Sequence, residues 1–193
     1  MKVTGKKFII LILYTPTENN KSENNKFNVP VEGRTRFVKM AFLFDKELKK
    51  FFHKINDVEV ELPEFFAWHY GPFSKELFND LEFLRNRGYV EVQTGKGAPS
   101  SAELAEYMDW IEDVYDGIDE YEYTSELFYL SEEKGIPKAI ELWNNLNQQQ
   151  QELLISFKSK LVNAPLRAII EYVYKKYKDH GYIDESVIKD KIL

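Results

Sequence analysis

Residues 70 to 93, YGPFSKELFNDLEFLRNRGYVEVQ, constrain the fold more than any other stretch of this chain. Pro72 biases Gly71 away from helical backbone, so the chain turns there. Ser74 is placed to cap a helix by accepting from its first free amides. Leu77, Leu81 and Leu84 recur at spacings of four and three, which predicts a helix over about 75–87 with one buried side. Gly88 is placed to stop that helix. YVEVQ, residues 89–93, alternates as a short strand does. Hinge, capped helix, stop and strand follow one another without a spacer, and the rest of the chain is read around them.

Upstream, the apolar run within residues 6–15 allows either a strand or a helix. Residues 16–33 are polar and Asn-rich, bounded by Pro16 and Gly33, and predict a mobile loop. A helix is expected over about 34–52, with Phe37, Met40, Phe44, Leu48 and Phe51 on one face. Its Arg34, Arg36, Lys39, Lys46, Lys49 and Lys50 are either a solvated face or a phosphate-facing one. Residues 58–70 read as extended around Pro63, and TGKGAPS reads as a turn. Downstream of a second strand at about 126–130, helices are expected near 137–146, 148–161, 165–178 and 184–192, with Pro137 and Pro165 in first turns.

The net charge of −6 hides a strong segregation. Residues 1–60 carry 12 basic and 7 acidic side chains, whereas residues 101–135 carry 1 and 12. Binding follows local potential, so the overall sign does not dismiss nucleic acid. In the acidic stretch, Ser100 and Glu103 fit a capping box. Leu104, Tyr107, Ile111, Val114 and Ile118 follow at spacings of 3, 4, 3 and 4, one apolar seam on an acidic helical insertion at about 101–122. Such a seam needs burial, on this chain or against a basic protein partner.

Chemistry finds little to stand on. The 193 residues include no Cys, which removes disulfides, thiolate-bound zinc and thiol catalysis, and fits a reducing, cytoplasmic setting. His53, His69 and His180 are far apart in sequence, and none sits in a zinc-protease arrangement. His69 beside Trp68 reads as a packed residue. Gly95 and Gly97 lack the helix of a phosphate-binding fingerprint. The carboxylates of 103–126 lack the alternation of a calcium loop. No metal, cofactor or catalytic residue is expected. KKFIILILY is too short for a membrane span and is not followed by a cleavage pattern.

The order helix, helix, strand, turn, helix, strand is the layout of a winged helix, and YLSEEKG at 129–135 resembles the Y-x-L-T-x-x-G ending of many such wings. GRTRFVKMAFLF (33–44), YGPFSKELFNDLEFLRNRGYV (70–90) and PLRAIIEYVYKKY (165–177) resemble the YwgA-like, phage-associated family, distantly related to the SocA/Panacea antitoxin domain. The family block after Tyr177 usually continues with Pro; here it continues with Lys178. The resemblance implies that residues 6–15 are helical and that the fold is mainly α with a small β element. It implies a winged helix-turn-helix-like domain over 1–135 and a C-terminal helical extension over 136–193 packed on it. It brings no catalytic residue.

The expected function is a DNA-binding regulator of the prophage or toxin–antitoxin type, acting by binding and not by catalysis. The alternative is an antitoxin-like protein-interaction module whose acidic helix, through Leu104 to Ile118, engages a basic partner. A homodimer is compatible with either. The DNA-contacting candidates are Arg34, Arg36 and Lys39 on the basic helix and Lys75, Asn79 and Arg85 on the helix after the hinge. Glu76, Asp80 and Glu82 lie among the latter and oppose them electrostatically.

Overall fold

The computed structural model describes residues 1–21, 26–55, 58–95 and 125–193. The described chain is mainly helical with a small β element. β1 (Lys2–Thr4) leads into α1 (Gly5–Tyr14), followed by α2 (Glu18–Lys21) and β2 (Val31–Glu32). Next come α3 (Arg34–Leu43), a π-turn (Phe44–Leu48), α4 (Lys49–Ile55) and β3 (Glu59–Glu61). Then follow α5 (Lys75–Asn86), β4 (Val90–Gly95) and β5 (Ser125–Leu130). The chain ends in α6 (Gly135–Asn144), α7 (Gln148–Asn163), α8 (Leu166–Tyr177) and α9 (Lys189–Ile192). β5 lies between β2 and β4, antiparallel to both, and Val92 faces Phe128 across the ladder. β1 and β3 form a separate parallel pair.

α1 is the axis of the core. Every residue from Phe8 to Tyr14 is buried, so the helix is covered on all sides by α5, β5 and α6. A helix apolar on every side from Phe8 onward is stable only in such a position. Its last carbonyls have no intrahelical donors and must be met from outside. The Thr15 amide and hydroxyl donate to Leu11 O at 2.9 and 2.7 Å. The Asn28 amide donates to Tyr14 O at 2.9 Å. Lys158, from α7, donates to Leu13 O, Thr15 O and Val29 O at 2.9, 2.8 and 2.6 Å. Its side chain is fully buried, and three carbonyls match the three donors of an ammonium. Burial pushes its pKa well below the ordinary lysine value. One side chain thus joins the end of α1, the approach to β2 and the C-terminal helices.

The hinge region behaves as its residues require. Gly71 has φ +79, and a Cβ there would come within 2.8 Å of the Tyr174 ring. Ser74 Oγ accepts from the Leu77 amide at 3.3 Å. At the other end Gly88 has φ +73, with Gly88 N donating to Arg85 O and Tyr89 N to Leu84 O at 3.0 and 2.9 Å. That pair of bonds is the Schellman pattern. Ser131 ties the strands to α6: its hydroxyl donates to Gly88 O at 2.6 Å and accepts from the Gly135 amide at 3.0 Å.

Four expectations are corrected. The helix expected at 34–52 contains a π-turn, in which Lys49 N donates to Phe44 O five residues back. The extra residue advances the buried face by one position, so Phe52 is buried and Phe51 is 59% exposed. The wider turn also lets Glu47 accept from Tyr172, Lys176 and Tyr177 on α8 at 3.0, 2.9 and 3.2 Å. Second, the described part of the loop 16–33 is anchored. Tyr14 and Phe27 stack at 4.6 Å, Asn28 exchanges two hydrogen bonds with Leu130, and Val31–Glu32 joins the sheet. Third, the helix expected at 184–192 is confined to Lys189–Ile192. The His69 carbonyl accepts from Val187 N and Ser186 Oγ at 2.9 and 3.1 Å, which takes that backbone out of helical pairing. Fourth, Pro165 is the residue before α8, not in its first turn, whereas Pro137 lies in the first turn of α6.

Two substitutions test this account. Ser74→Ala removes one cap bond and is expected to lower stability by about 1 kcal/mol in urea unfolding. Lys158→Met strands three buried carbonyls, and at about 1 kcal/mol or more for each it is expected to cost about 3 kcal/mol or more. A Lys158→Met protein as stable as the parent would remove the ammonium from its place as a central tie.

Candidate functional site

The six basic and polar residues nominated for DNA contact fall into two groups. Arg36 and Lys39 are buried, and Arg34 is half-buried. Arg34 makes a bidentate pair with Glu126, Nε to Oε2 at 2.6 Å and Nη2 to Oε1 at 3.0 Å, and its Nη1 donates to Glu82 at 2.6 Å. Its guanidinium also lies 4.8 Å from the centre of the Phe78 ring. It therefore binds α3 to α5 and β5. Arg36 is 5% exposed and donates through Nη1 to Leu161 O and Ala164 O, both at 2.6 Å. It satisfies carbonyls at the C-terminal end of α7, where a cation is favoured. Lys39 is 2% exposed and donates to Pro72 O at 2.9 Å. Arg36 and Lys39 are thus buried, and Arg34 is half-buried against Glu126 and Glu82. α3 is buried from Arg36 to Leu43, so a cation there meets carbonyls and carboxylates of its own chain rather than solvent.

Lys75, Asn79 and Arg85 are exposed on α5. The acids among them are largely spoken for. Asp80 lies 2.6 Å from Lys6, and Glu82 lies 2.6 Å from Arg34 and 3.5 Å from Arg85. Glu76 is exposed and is the one of the three without such a partner among the described residues. Arg87, just past the helix, rests over the exposed Phe83 ring at 5.4 Å. The partner-binding candidates Leu104, Tyr107, Ile111, Val114 and Ile118, and the acidic insertion 101–122 that bears them, lie outside the described residues.

Sequence reasoning did not find a cleft of about 180 Å³ between α3 and the hinge. It is lined by Arg34, Val38 and Lys39 on one side and by Trp68, Tyr70, Phe73 and Phe78 on the other. Trp68 stacks on the His69 ring at 4.7 Å, and Phe66 meets Phe73 edge to face at 5.7 Å. Phe66 and Trp68 remain 43% and 45% exposed, which puts an aromatic patch on the surface beside the cleft. The signal was present in the sequence as the aromatic crowding of FFAWHYGPF. What was missing was the position of Lys39 opposite it.

Burial lowers the Lys39 pKa to about 7. Among the described residues, no group of His, Asp and Glu large enough to hold a metal ion is present, and no helix is long and apolar enough to cross a membrane. Comparison with family models, curated proteins and solved structures finds no match to this chain.

The depressed Lys39 pKa has a measurable consequence. Between about pH 7 and the unfolded value near 10.5, the unfolded chain holds a proton that the folded chain has released. Stability should therefore rise with pH through that window, by up to about 1.4 kcal/mol per pH unit from this group. Urea unfolding between pH 7.5 and 9.5 should show a steeper rise for the parent than for Lys39→Met. Equal slopes would mean that Lys39 titrates near its ordinary value.

Proposed function

We propose that this chain is a winged-helix regulator of the prophage or toxin–antitoxin type that binds DNA and performs no chemistry. The order of elements supports the reading. A helix (α1), a short strand (β2), a second helical arm (α3 to α4), a third helix (α5) and two strands follow in sequence, and the sheet order β2–β5–β4 is that of a winged helix. In such a domain the third helix enters the major groove with its N-terminal side chains toward the bases. α5 corresponds to that helix on this reading, and the resemblance to the YwgA-like family supports it.

The observation that carries the reading is the charge state of α5. Lys75, Asn79 and Arg85 are exposed, while Asp80 and Glu82 are paired with Lys6 and Arg34. Pairing of Asp80 with Lys6 and partial offset of Glu82 by Arg34, which Glu126 shares, reduce the electrostatic objection, while Glu76 stays exposed. Lys75 and Arg85 then serve phosphate or guanine, and Asn79 serves adenine. The antitoxin-like reading, in which the chain engages a protein, draws on the exposed Phe66 and Trp68 patch, since aromatic side chains are enriched at protein interfaces.

Fluorescence anisotropy with mixed-sequence duplex DNA at two salt concentrations tests the first reading. Lys75→Ala with Arg85→Ala should weaken binding and lower the salt slope by about two units, roughly one per phosphate contact. Asn79→Ala should relax sequence preference more than it weakens binding to random duplex. Absence of any DNA affinity at low salt would sink the DNA reading. A protein partner captured by the parent and lost on Trp68→Ala would then favour the second.

A further inference from the structure

The two lysines buried among the described residues are not equivalent. Lys158 has an acceptor for each of its three donors. Lys39 has one, the Pro72 carbonyl, among the described residues. A buried amine with a single acceptor is costly to charge, and interiors rarely leave such groups without a purpose. Lys39 also lines the cleft, opposite Trp68, Tyr70, Phe73 and Phe78.

We propose that this cleft is a binding site for a small aromatic carboxylate, with Lys39 as the partner of the carboxylate and the rings of Trp68, Phe73 and Phe78 around the ligand ring. Size supports this class. A cavity of about 150 Å³ in another protein holds one benzene ring, and this cleft is about 180 Å³. Composition supports it as well, because ligand sites are mostly apolar and aromatic with a few placed polar groups. Arg34 is not the anion partner, since its one positive charge is already shared by Glu82 and Glu126. The carboxylate supplies acceptors that Lys39 lacks, and its charge favours the ammonium form. Phe78 and the Ser74 cap belong to α5 and its entry, so an occupied cleft bears directly on the helix proposed to meet DNA. The binding claim goes beyond the DNA reading and does not need it.

The test is calorimetry on the full chain with benzoate as the probe. Saturable binding at one site is expected, at least tenfold weaker for benzyl alcohol, which keeps the ring, and for acetate, which keeps the charge. Lys39→Met should lose at least tenfold in affinity. Should that variant fail to fold, titration of the parent at pH 8 in two buffers of different ionisation enthalpy decides the matter. Lys39 with a pKa of about 7 is mostly neutral there, so binding should take up close to one proton per site. No binding at millimolar benzoate, equal affinity for Lys39→Met, or no proton uptake would each overturn the proposal.

Discussion

A helix with no polar side has to be enclosed, and the rest of this fold follows from enclosing α1. Phe8 to Leu13 are each 4% exposed or less, so α5, β5 and α6 have to close around them. Enclosure removes water from the carbonyls at the end of α1, and each must find a donor from the protein. Lys158, Asn28 and Thr15 meet that demand. The strand β2 and the helix α7 are thereby held where they are by the polar needs of an apolar helix. The C-terminal helices share this core: α6 packs on α1, α7 on α4 and α8 on α3.

The same enclosure changes the meaning of the basic N-terminal third. An excess of cations in residues 1–60 reads as a positive surface only if the cations are outside. Arg36 and Lys39 are drawn inward onto backbone carbonyls, and the half-buried Arg34 pairs with Glu126 and Glu82. Among the described residues, exposed cations remain on α5 and its flank, Lys75, Arg85 and Arg87, and also on α4, Lys50 and Lys54. Arg34 acts on α5 indirectly, because its one guanidinium charge is shared between Glu82 and Glu126 and offsets part of the negative charge beside that helix. A residue that touches no partner can thus set the potential a partner meets.

Much of the local architecture was legible because it depends on neighbours in sequence. The Gly71–Pro72 hinge, the Ser74 cap and the Gly88 stop are decided by backbone sterics and by bonds spanning a few residues. The capping box at the start of α7 was equally open to reading. Asn147 and Gln150 bond reciprocally at 2.9 and 3.1 Å, a signature set within a run of four Gln. Gln150 goes further and donates to Phe52 O at 3.0 Å, and no local rule foretells that bond.

The sequence by itself determined where helices cap, turn and stop, that α5 has one buried side, and that the chain is mainly helical with short strands. Those properties rest on interactions between residues close in the chain. Only the tertiary structure decided which cations face solvent, because burial depends on what packs over a helix and not on its own periodicity. It also decided the π-turn that exchanges Phe51 for Phe52, since that turn is held by Glu47 reaching three side chains on α8. The shortened last helix has the same origin: the His69 carbonyl, more than a hundred residues upstream, takes the Val187 amide and the Ser186 hydroxyl. Lys39 shows the difference most plainly. Its spacing fits an outward basic face, and only the approach of the hinge makes it a buried amine beside an aromatic cleft.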